Sequence, residues 1–300
     1  MRTAVVNTLK MARSSQPFNY TATSLAYVCQ QITGWHSEKI IKHLHRVGEV
    51  KRTLPNDRKL AWWSKGDDWV SNQIFWRGWD GYEPETVQLF FRLAQQARVT
   101  LDVGAYVGYY TLLAAHANPA AQIFAFEPLP TVFKRLQQNI QLNQLTNVTG
   151  INSAVGDIDG TAEFFHAPNE LPTSSSLSFE FMHATNGLMS TKVPVIALDK
   201  FVREQKIARV DLVKIDTEST EPDVLSGMRE TLQKDHPFIV CEVLQGRGSE
   251  KALAEILQPL NYRFYLLTPD GPILKDQIEG HPEYLNYLFT TLSPLEITKL

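Results

Sequence analysis

The chain has 300 residues, of which 43% are hydrophobic and 20% are charged, an ordinary composition for a globular protein. Its net charge of -3 gives no reason to expect nucleic-acid binding, which needs a concentrated positive surface. Two cysteines, Cys29 and Cys241, are too few for a disulfide framework or a cysteine metal site, and this favours reduced thiols in the cytoplasm. No apolar run of about 18 residues predicts a membrane span, and the N-terminus does not resemble a secretory signal.

Residues 1–95 are predicted to form an N-terminal extension that is helical and aromatic, and it contains every tryptophan of the chain. The basic stretch 39–59 is expected to be the solvated face of a helix rather than a nucleic-acid patch. We interpret the extension as a cap or interaction region, and its aromatic side chains could pair two copies of the chain as a homodimer. The simpler alternative for any single indole is that it fills a local core.

Residues 96–300 alternate short apolar strands with helical patterns, as is typical of a doubly wound, mostly parallel α/β sheet. The strands are predicted in RVTLDVG, AQIFAFE, NVTGINSAV, RVDLVKID, PFIVCEV, YRFYLLT and YLNYLFTTL. No helical pattern precedes the last strand, so we expect it to form an antiparallel hairpin at the edge of the sheet. Residues 157–200 interrupt the alternation with a strand pair around a long polar loop, and loops of that length are usually functional.

The stretch RVTLDVGAYVGYYTLL, residues 98–113, has the pattern of a strand, a tight turn and a helix. Gly104 and Gly108 would allow a sharp bend at the carboxyl end of a strand, where open parallel sheets bind ligands. The dinucleotide fingerprint G-x-G-x-x-G lacks its middle glycine here, and Asp102 would repel a phosphate about 4 Å away by roughly 1 to 4 kcal/mol. A cationic nucleoside without phosphate fits this turn better, and S-adenosylmethionine is such a compound.

Glu127 ends the second predicted strand, where its carboxylate can accept hydrogen bonds from both hydroxyls of a ribose. NAD-dependent enzymes use an acid in the same way, so Glu127 alone does not distinguish the two cofactors. The segment NSAVGD, around the third strand, offers further side chains for the adenine.

The segments LDVGAYVGYYTLLAA, FAFEPLPTVFKRLQQNIQLN and DLVKIDTESTEPDVLSGM resemble, in this order, the FkbM family of S-adenosylmethionine-dependent methyltransferases. The resemblance covers roughly residues 80–265 and begins near GYEPET. It implies a class I methyltransferase fold, which is a Rossmann-like sheet of seven strands with an antiparallel last strand. It also implies methyl transfer, usually to oxygen, on sugars or secondary metabolites.

Two positions depart from the family pattern. Tyr106 stands where the family commonly has Asn, beside the expected cofactor, and Ser219 stands where it commonly has Gly, in the turn after the fourth strand. The resemblance implies that Asp102, Gly104 and Glu127 bind the cofactor. With the residues around them, the full set predicted to bind it is Glu83, Asp102, Gly104, Ala105, Tyr106, Gly108, Glu127, Pro128, Ser153, Ala154, Asp157 and Asp216.

Carboxylates are predicted to gather where the fourth and fifth strands end. Their proximity would raise the pKa of some of them, as a general base for an alcohol requires. We predict Asp216 or Glu218 as the catalytic base, with His166 and His183 as alternatives in the long loop. The residues predicted to bind a small-molecule acceptor are Ser175, Ser176, Glu221 and Glu242. No metal is assigned, although the same carboxylates could hold a divalent cation.

The leading hypothesis is an S-adenosylmethionine-dependent methyltransferase that acts on a hydroxyl of a sugar, a polyketide or another secondary metabolite. The second hypothesis is an NAD-dependent oxidoreductase, which Asp102 and the missing glycine disfavour. The third is a non-catalytic binding protein that retains the fold and uses the tryptophan-rich extension as its contact surface.

Overall fold

The computed structural model describes residues 16–34, 38–172 and 175–299. The chain divides into two compact units, and the boundary lies between Glu83 and Pro84. The sequence places this boundary near residue 95, later than the structure does. Within the described ranges, no helix has both the length and the apolar character needed to cross a bilayer.

The first unit, as far as the structure describes it, combines helices with one antiparallel hairpin. Its elements are α1 (Gln16–Thr33), α2 (Glu38–His43), β1 (Val47–Thr53), β2 (Lys59–Lys65) and α3 (Trp69–Arg77). The prediction of a helical extension is therefore wrong for the hairpin, and the basic stretch is not one helix face. In β1 the buried Val50 is followed by the exposed Lys51, and in β2 the exposed Lys59 precedes the buried Leu60. Strand β1 alternates as a half-buried strand does, whereas β2 buries the three residues from Leu60 to Trp62 in succession.

The tryptophans of the first unit differ in burial. Trp62 and Trp76 are 1% and 3% exposed, so these two indoles fill a local core. The Nε1 of Trp76 also donates a hydrogen bond to the carbonyl oxygen of Leu44 at 3.0 Å. Trp69 is 37% exposed, and Trp35 lies outside the described residues.

The second unit contains the strands and helices of a large α/β sheet and of a smaller sheet. In chain order its elements are α4 (Pro84–Gln96), β3 (Val99–Val103), α5 (Tyr109–Ala117), β4 (Gln122–Phe126), α6 (Pro130–Leu142), β5 (Val148–Ile151), β6 (Ala154–Val155), β7 (Gly160–His166), β8 (Ser175–Ser176), α7 (Phe179–Met182), β9 (Met189–Ile196), α8 (Leu198–Glu204), β10 (Leu212–Ile215), α9 (Glu221–Ser226), α10 (Arg229–Asp235), β11 (Phe238–Glu242), α11 (Ser249–Leu257), a 3-10 turn (Gln258–Leu260), β12 (Arg263–Thr268), β13 (Gly271–Lys275), β14 (Asn286–Thr290) and α12 (Pro294–Ile297). Helix α4 belongs to this unit because it packs against α5 and β12.

The large sheet has the strand order β13-β12-β14-β11-β10-β3-β4-β5. The five strands from β5 to β11 run parallel, and β14 is antiparallel to both of its neighbours. The predicted α/β fold with a parallel core is confirmed, as is the antiparallel last strand. Two details differ from the prediction. The described residues give eight strands rather than seven because GPILK forms β13, and β14 lies between β11 and β12 rather than at the edge.

The parallel strands carry the core of this unit. All five residues of β3 and all four of β10 are buried, as expected for strands that are covered by helices on both faces. One face packs Leu101, Val213 and Ile239 into a continuous apolar cluster with α9, α10 and α11. Cys241 is a buried free thiol in that cluster, and Cys29 is an exposed free thiol.

The residues that interrupt the alternation form a separate sheet with the order β6-β9-β7-β8. Strands β7 and β9 pair antiparallel, which confirms the predicted strand pair. The hydroxyl of Ser153 donates to the carbonyl oxygen of Pro194 at 2.9 Å, so the chain that leaves β5 is tied to β9. This small sheet therefore lies beside the carboxyl end of β5.

Candidate active site

The turn after β3 packs directly on the chain that leaves β10. Gly104 has a φ of +81°, and a Cβ there would lie 1.8 Å from the carbonyl oxygen of Asp216, so a residue with a side chain does not fit. The amides of Gly104 and Ala105 both donate to the carbonyl oxygen of Phe126, at 3.1 and 2.9 Å. Gly108 has a φ of +98°, and a Cβ there would lie 2.6 Å from a methyl carbon of Leu136. The predicted glycine turn is therefore present, and both glycines are sterically required.

Glu127 stands at the carboxyl end of β4, next to this turn, and is 5% exposed. Its Oε2 accepts a hydrogen bond from the amide of Tyr106 at 3.0 Å, and its Oε1 accepts one from the amide of Leu129 at 2.8 Å. Burial raises the pKa of this carboxyl to about 8, against the opposing effect of the two backbone donors. Each carboxylate oxygen can accept a second hydrogen bond, so the ionised group retains room for two hydroxyl donors.

Asp102 lies in β3 with 2% of its surface exposed. Its carboxylate accepts a short hydrogen bond from the hydroxyl of Thr111, and Lys214 stands opposite it in the neighbouring strand β10. Burial raises the pKa of Asp102 to about 6, while the Thr111 hydroxyl and the charge of Lys214 lower it. A partly ionised acid therefore sits behind the glycine turn.

Tyr106 occupies the middle of the turn with a φ of +50°. This left-handed conformation is easier for Asn than for Tyr, which accounts physically for the Asn that the FkbM family commonly has there. The Tyr106 hydroxyl donates to the carbonyl oxygen of Leu171 at 3.3 Å, so this side chain reaches toward the loop after β7.

The residues predicted for the adenine lie after β5. Ser153 is 3% exposed, and its hydroxyl donates to the carbonyl oxygens of Ala154 and Pro194 at 2.8 and 2.9 Å. Asp157 is exposed and Pro128 is buried. The side-chain amide of Asn152 donates to the carbonyl oxygens of Glu127 and Pro128 at 2.8 and 2.9 Å, and so links this segment to the end of β4.

Glu83 is the last residue of the first unit, half-buried, with a φ of +47°. Its assignment to the cofactor remains a prediction.

The turn after β10 carries the second group of predicted residues. Glu218 and Ser219 have φ values of +56° and +84° in succession, in a region that L-residues rarely adopt. Burial, and after it the charges of Asp216 and Glu221, raise the pKa of Glu218 to about 8, whereas the charges of Arg247 and Lys214 oppose this rise. This half-buried carboxyl thus has the electrostatic setting of a general base near neutral pH.

Two residues predicted to bind the acceptor use their polar atoms within the protein. Glu221 is 2% exposed, and its Oε1 accepts hydrogen bonds from the amide and hydroxyl of Thr217 and the amide of Ser219 at 3.1–3.2 Å. Burial raises the pKa of the Glu221 carboxyl. Ser176 is fully buried and donates to the carbonyl oxygen of Glu218 at 2.7 Å. Both residues therefore brace the turn that presents Glu218.

The remaining predicted residues flank that turn. Ser175 is half-buried in β8, and Glu242 is 8% exposed at the end of β11. Both ring nitrogens of His166 lie within hydrogen-bond distance of partners in the insertion, the carbonyl oxygen of Ala167 at 2.9 Å and the hydroxyl of Thr191 at 3.0 Å. His183 is exposed on the loop between β8 and β9.

Sequence reasoning missed two basic side chains of this region. Lys214 is fully buried in β10, and its Nζ lies 3.3 Å from Oδ2 of Asp216. A lysine in an otherwise apolar strand was a signal that could have identified it. The guanidinium of Arg247 lies 4.6 Å from the ring centroid of Phe181, in the loop before α11, where the sequence gives no such signal. Among the described residues, no group of three or more His, Cys, Asp and Glu side chains is arranged to hold a metal ion.

Residues 102–266 match the family model described as the Methyltransferase FkbM domain, which is more than half of the chain. The chain belongs to the FkbM methyltransferase family. The match begins at the end of β3 and includes both turns, the strands β4 through β11 and the insertion. The predicted methyltransferase and its predicted cofactor, S-adenosylmethionine, are confirmed by this assignment, and the oxidoreductase and the non-catalytic alternatives are not favoured.

Several FkbM-type relatives cover a little over half of this chain. The chain is 29% identical over 167 residues to hexuronic acid methyltransferase AglP of Haloferax volcanii, covering 55% of this chain and 63% of that protein. It is 26% identical over 200 residues to 31-O-demethyl-FK506 methyltransferase FkbM of Streptomyces tacrolimicus, covering 58% and 75%. It is 28% identical over 188 residues to 2-O-methyltransferase NoeI of Sinorhizobium fredii, covering 57% and 75%. The crystal structure of an FkbM methyltransferase from Methylobacillus flagellatus superposes with a TM-score of 0.43 at 14% identity, covering 65% of this chain and 43% of that one.

The residues of the first turn fit S-adenosylmethionine. Glu127 offers acceptor capacity for a diol next to a turn whose backbone a ligand can approach closely. Asp102 adds negative charge behind the turn, which suits a ligand with an ammonium and a sulfonium and no phosphate.

Proposed function

We propose that this FkbM methyltransferase methylates a hydroxyl oxygen of a small molecule, either a sugar or another secondary metabolite such as a polyketide. The observation that carries the proposal is the buried carboxylate of Glu127 beside the Gly104 turn, with Asp102 behind it. Transfer to oxygen is supported by two relatives whose names specify it, FkbM of Streptomyces tacrolimicus and NoeI of Sinorhizobium fredii. A sugar-like acceptor is supported by AglP, which is named for a hexuronic acid.

The chain would hold the cofactor through the turn after β3. Glu127 would accept hydrogen bonds from the two ribose hydroxyls, and Asp102 would attract the ammonium of the amino-acid part, directly or through water. Ser153, Ala154 and Asp157 would lie on the adenine side. When bound, S-adenosylmethionine supplies a methyl group that is already activated by its sulfonium, so the protein mainly has to orient the acceptor and exclude water.

Glu218 is our first choice as general base, with Asp216 as the second. Its carboxylate would take the proton of the acceptor hydroxyl, and its raised pKa of about 8 lies near the pH at which such transfer is efficient. The guanidinium of Arg247, in the loop before α11, lies 4.6 Å from the ring centroid of Phe181 in α7, and its charge lowers the pKa of Glu218. We infer that they border an amphipathic acceptor site with Ser175 and Glu242.

The cofactor assignment is tested by isothermal titration calorimetry with S-adenosylhomocysteine. The wild-type chain is expected to bind it, and Glu127→Ala is expected to weaken binding about tenfold or more, because it removes the partner of two ribose hydroxyls and each hydrogen bond contributes about 0.5–1.5 kcal/mol. Glu127→Gln keeps the length of the side chain, and Glu163→Ala, at an exposed position on β7, serves as the matched control. Undiminished binding in Glu127→Ala would refute the ribose role.

The reaction is tested by screening acceptors with cofactor that carries a labelled methyl group. We expect label in a hydroxyl-bearing small molecule, as a methyl ether. A chain that binds NADH and fails to bind S-adenosylhomocysteine would instead revive the oxidoreductase hypothesis.

A further inference from the structure

Lys214 is a buried cation in the middle of the large sheet. The other residues of β10 are Leu212, Val213 and Ile215, and the whole strand, including the lysine, is sealed from solvent. Removing an ammonium from water costs several kcal/mol unless charged or polar partners compensate. A lysine in this position therefore needs specific partners, and those partners indicate what it does.

The contacts of the ammonium connect four elements. Its Nζ donates to Oδ1 of Asn286 in β14 at 3.0 Å and lies 3.3 Å from Oδ2 of Asp216, which follows β10. It lies 5.0 Å from the ring centroid of Tyr110 in α5, a cation–π distance. Asp102 is its neighbour across the β3–β10 pair, so the two side chains share one face of the sheet.

The ammonium therefore stands between the acid behind the first turn and the acid that starts the second turn. Two carboxylates this close to each other would otherwise repel, and burial would drive at least one of them to bind a proton. The charge of Asp216 raises the pKa of Asp102, and the charge of the lysine lowers it.

We propose that Lys214 is a positioning residue for the methyl-transfer site, whose buried ammonium favours the ionised form of Asp102 and holds the side chain of Asp216, so that both are oriented to receive the cationic amino-acid part of the cofactor. This inference rests on the proposed function. It concerns a residue that acts through Asp102 and Asp216 rather than one that touches the reacting atoms.

Loss of the lysine has a consequence with a definite sign. Burial raises the pKa of Asp102 to about 6, and the charge of Lys214 opposes that rise. Without Lys214 the pKa of Asp102 should rise further, so Asp102 would hold a proton at pH 7 and lose it only at higher pH. Three other titratable groups face the ammonium, Asp216 and Glu218 on the second turn and the buried thiol of Cys241 in β11. The charge of Lys214 lowers the pKa of Glu218 and of Cys241, so both pKa values should also rise without it.

Two ligands separate this role from simple packing. S-Adenosylhomocysteine has the ammonium, whereas 5′-methylthioadenosine keeps the nucleoside and lacks the amino-acid part. We expect Lys214→Met and Lys214→Gln to bind S-adenosylhomocysteine about tenfold more weakly than wild type at pH 7. This factor corresponds to a rise of about one unit in the pKa of Asp102. The deficit relative to wild type should shrink toward pH 8.5, and affinity for 5′-methylthioadenosine should change by less than about twofold.

The test is calorimetry with both ligands from about pH 6 to 8.5. Lys192→Met, at an exposed position, is the control for the loss of a positive charge. An equal loss of affinity for both ligands at every pH would mean that Lys214 only packs, and it would overturn the proposal. A wild-type affinity for S-adenosylhomocysteine at every pH would overturn it as well.

If neither Lys214 variant folds, Asn286→Ala leaves the lysine in place without its 3.0 Å partner. Asn286→Ala should weaken the binding of S-adenosylhomocysteine by a smaller factor with the same pH dependence. An Asn286→Ala chain with wild-type affinity at every pH would overturn the proposal. A wild-type chain that binds neither ligand would instead refute the proposed function.

Discussion

The turn after β3 and the turn after β10 leave neighbouring parallel strands at one edge of the sheet, yet they achieve their bends with different residues. The first places glycines at its outer bends, Gly104 with a φ of +81° and Gly108 with a φ of +98°. The second reaches φ values of +56° and +84° with Glu218 and Ser219. The first turn is therefore relaxed at these bends, whereas the second holds two side chains in a conformation that costs about 1–3 kcal/mol per residue.

The difference fits two tasks. A cofactor turn needs bare backbone that a ligand can approach, which glycine provides. A turn that presents a base needs a side chain at the bend, and the surrounding structure must hold it there. Glu221 does so through three hydrogen bonds at 3.1–3.2 Å, and Ser176 does so from the insertion. Strain that is braced in this way is common at functional sites.

The largest effect should come from adding a side chain where the two turns are in contact. Gly104→Ala would put a methyl group 1.8 Å from the carbonyl oxygen of Asp216, so the two turns would have to separate. We expect a loss of roughly 3–5 kcal/mol in the free energy of unfolding, measured by urea denaturation. Gly246→Ala is the matched control, because its φ is +74° and nothing lies within 4 Å of the added Cβ. A comparable loss in the control would mean that backbone strain, and not the contact, explains the effect.

The next largest effect should come from removing the proposed general base from the second turn. Glu218→Gln keeps the shape of the side chain and removes the base, so kcat on the identified acceptor should fall by about a hundredfold or more. Binding of S-adenosylhomocysteine should change little, because Glu218 is not in the cofactor turn. Glu127→Ala should do the reverse and weaken binding first. A Glu218→Gln enzyme with wild-type kcat would remove this residue from the mechanism and make Asp216 the base.

The pH dependence of the wild-type enzyme sharpens the same point. A base acts in its deprotonated form, and burial raises the pKa of Glu218 to about 8. The value of kcat/KM should therefore rise from pH 6 to about pH 8 and level off above it, with this rise absent in Glu218→Gln. A profile that is flat between pH 6 and 9 would contradict the assignment.

The smallest effect tests the strain directly. Ser219→Gly removes a side chain from a φ of +84° and also removes a buried hydroxyl that has no hydrogen-bond partner among the described residues. We expect the free energy of unfolding to increase by about 0.5–1 kcal/mol, since relief of strain outweighs the greater freedom of the unfolded chain. Ser190→Gly, at an exposed position in β9, should decrease it slightly. A destabilised Ser219→Gly would show that the second turn is not strained at this residue.

Local patterns predicted most of the second unit. The apolar runs of β3, β4, β10 and β11 were sufficient to identify buried parallel strands, because helices cover both faces. The place of β14 between β11 and β12 could not be predicted, since strand order depends on long-range pairing and leaves no local pattern. The hairpin of the first unit could not be predicted from its basic stretch, because Lys51 and Arg52 are adjacent in β1 and β2 buries three residues in succession, so no clear two-residue period marks both strands.

The candidate site likewise contains residues that the sequence could identify and residues whose roles it could not. Asp102, Gly104 and Glu127 could be found because the turn and the strand end place them by spacing alone. The bracing roles of Glu221 and Ser176 depend on contacts between segments that are distant along the chain, such as the one from Ser176 to Glu218. The sequence alone shows that these residues are polar and near the edge of the sheet, and it does not show whether they face a ligand or the protein.

The main-chain contact between Gly104 and Asp216 has a mechanical consequence. The cofactor turn and the turn that carries the proposed base are held against each other through backbone atoms that follow adjacent strands, so the sheet sets the separation of the two turns. The insertion is fixed to the same turn, because the Ser176 hydroxyl donates to the carbonyl oxygen of Glu218. The cofactor turn, the turn of the proposed base and the insertion would then keep their spacing when an acceptor binds.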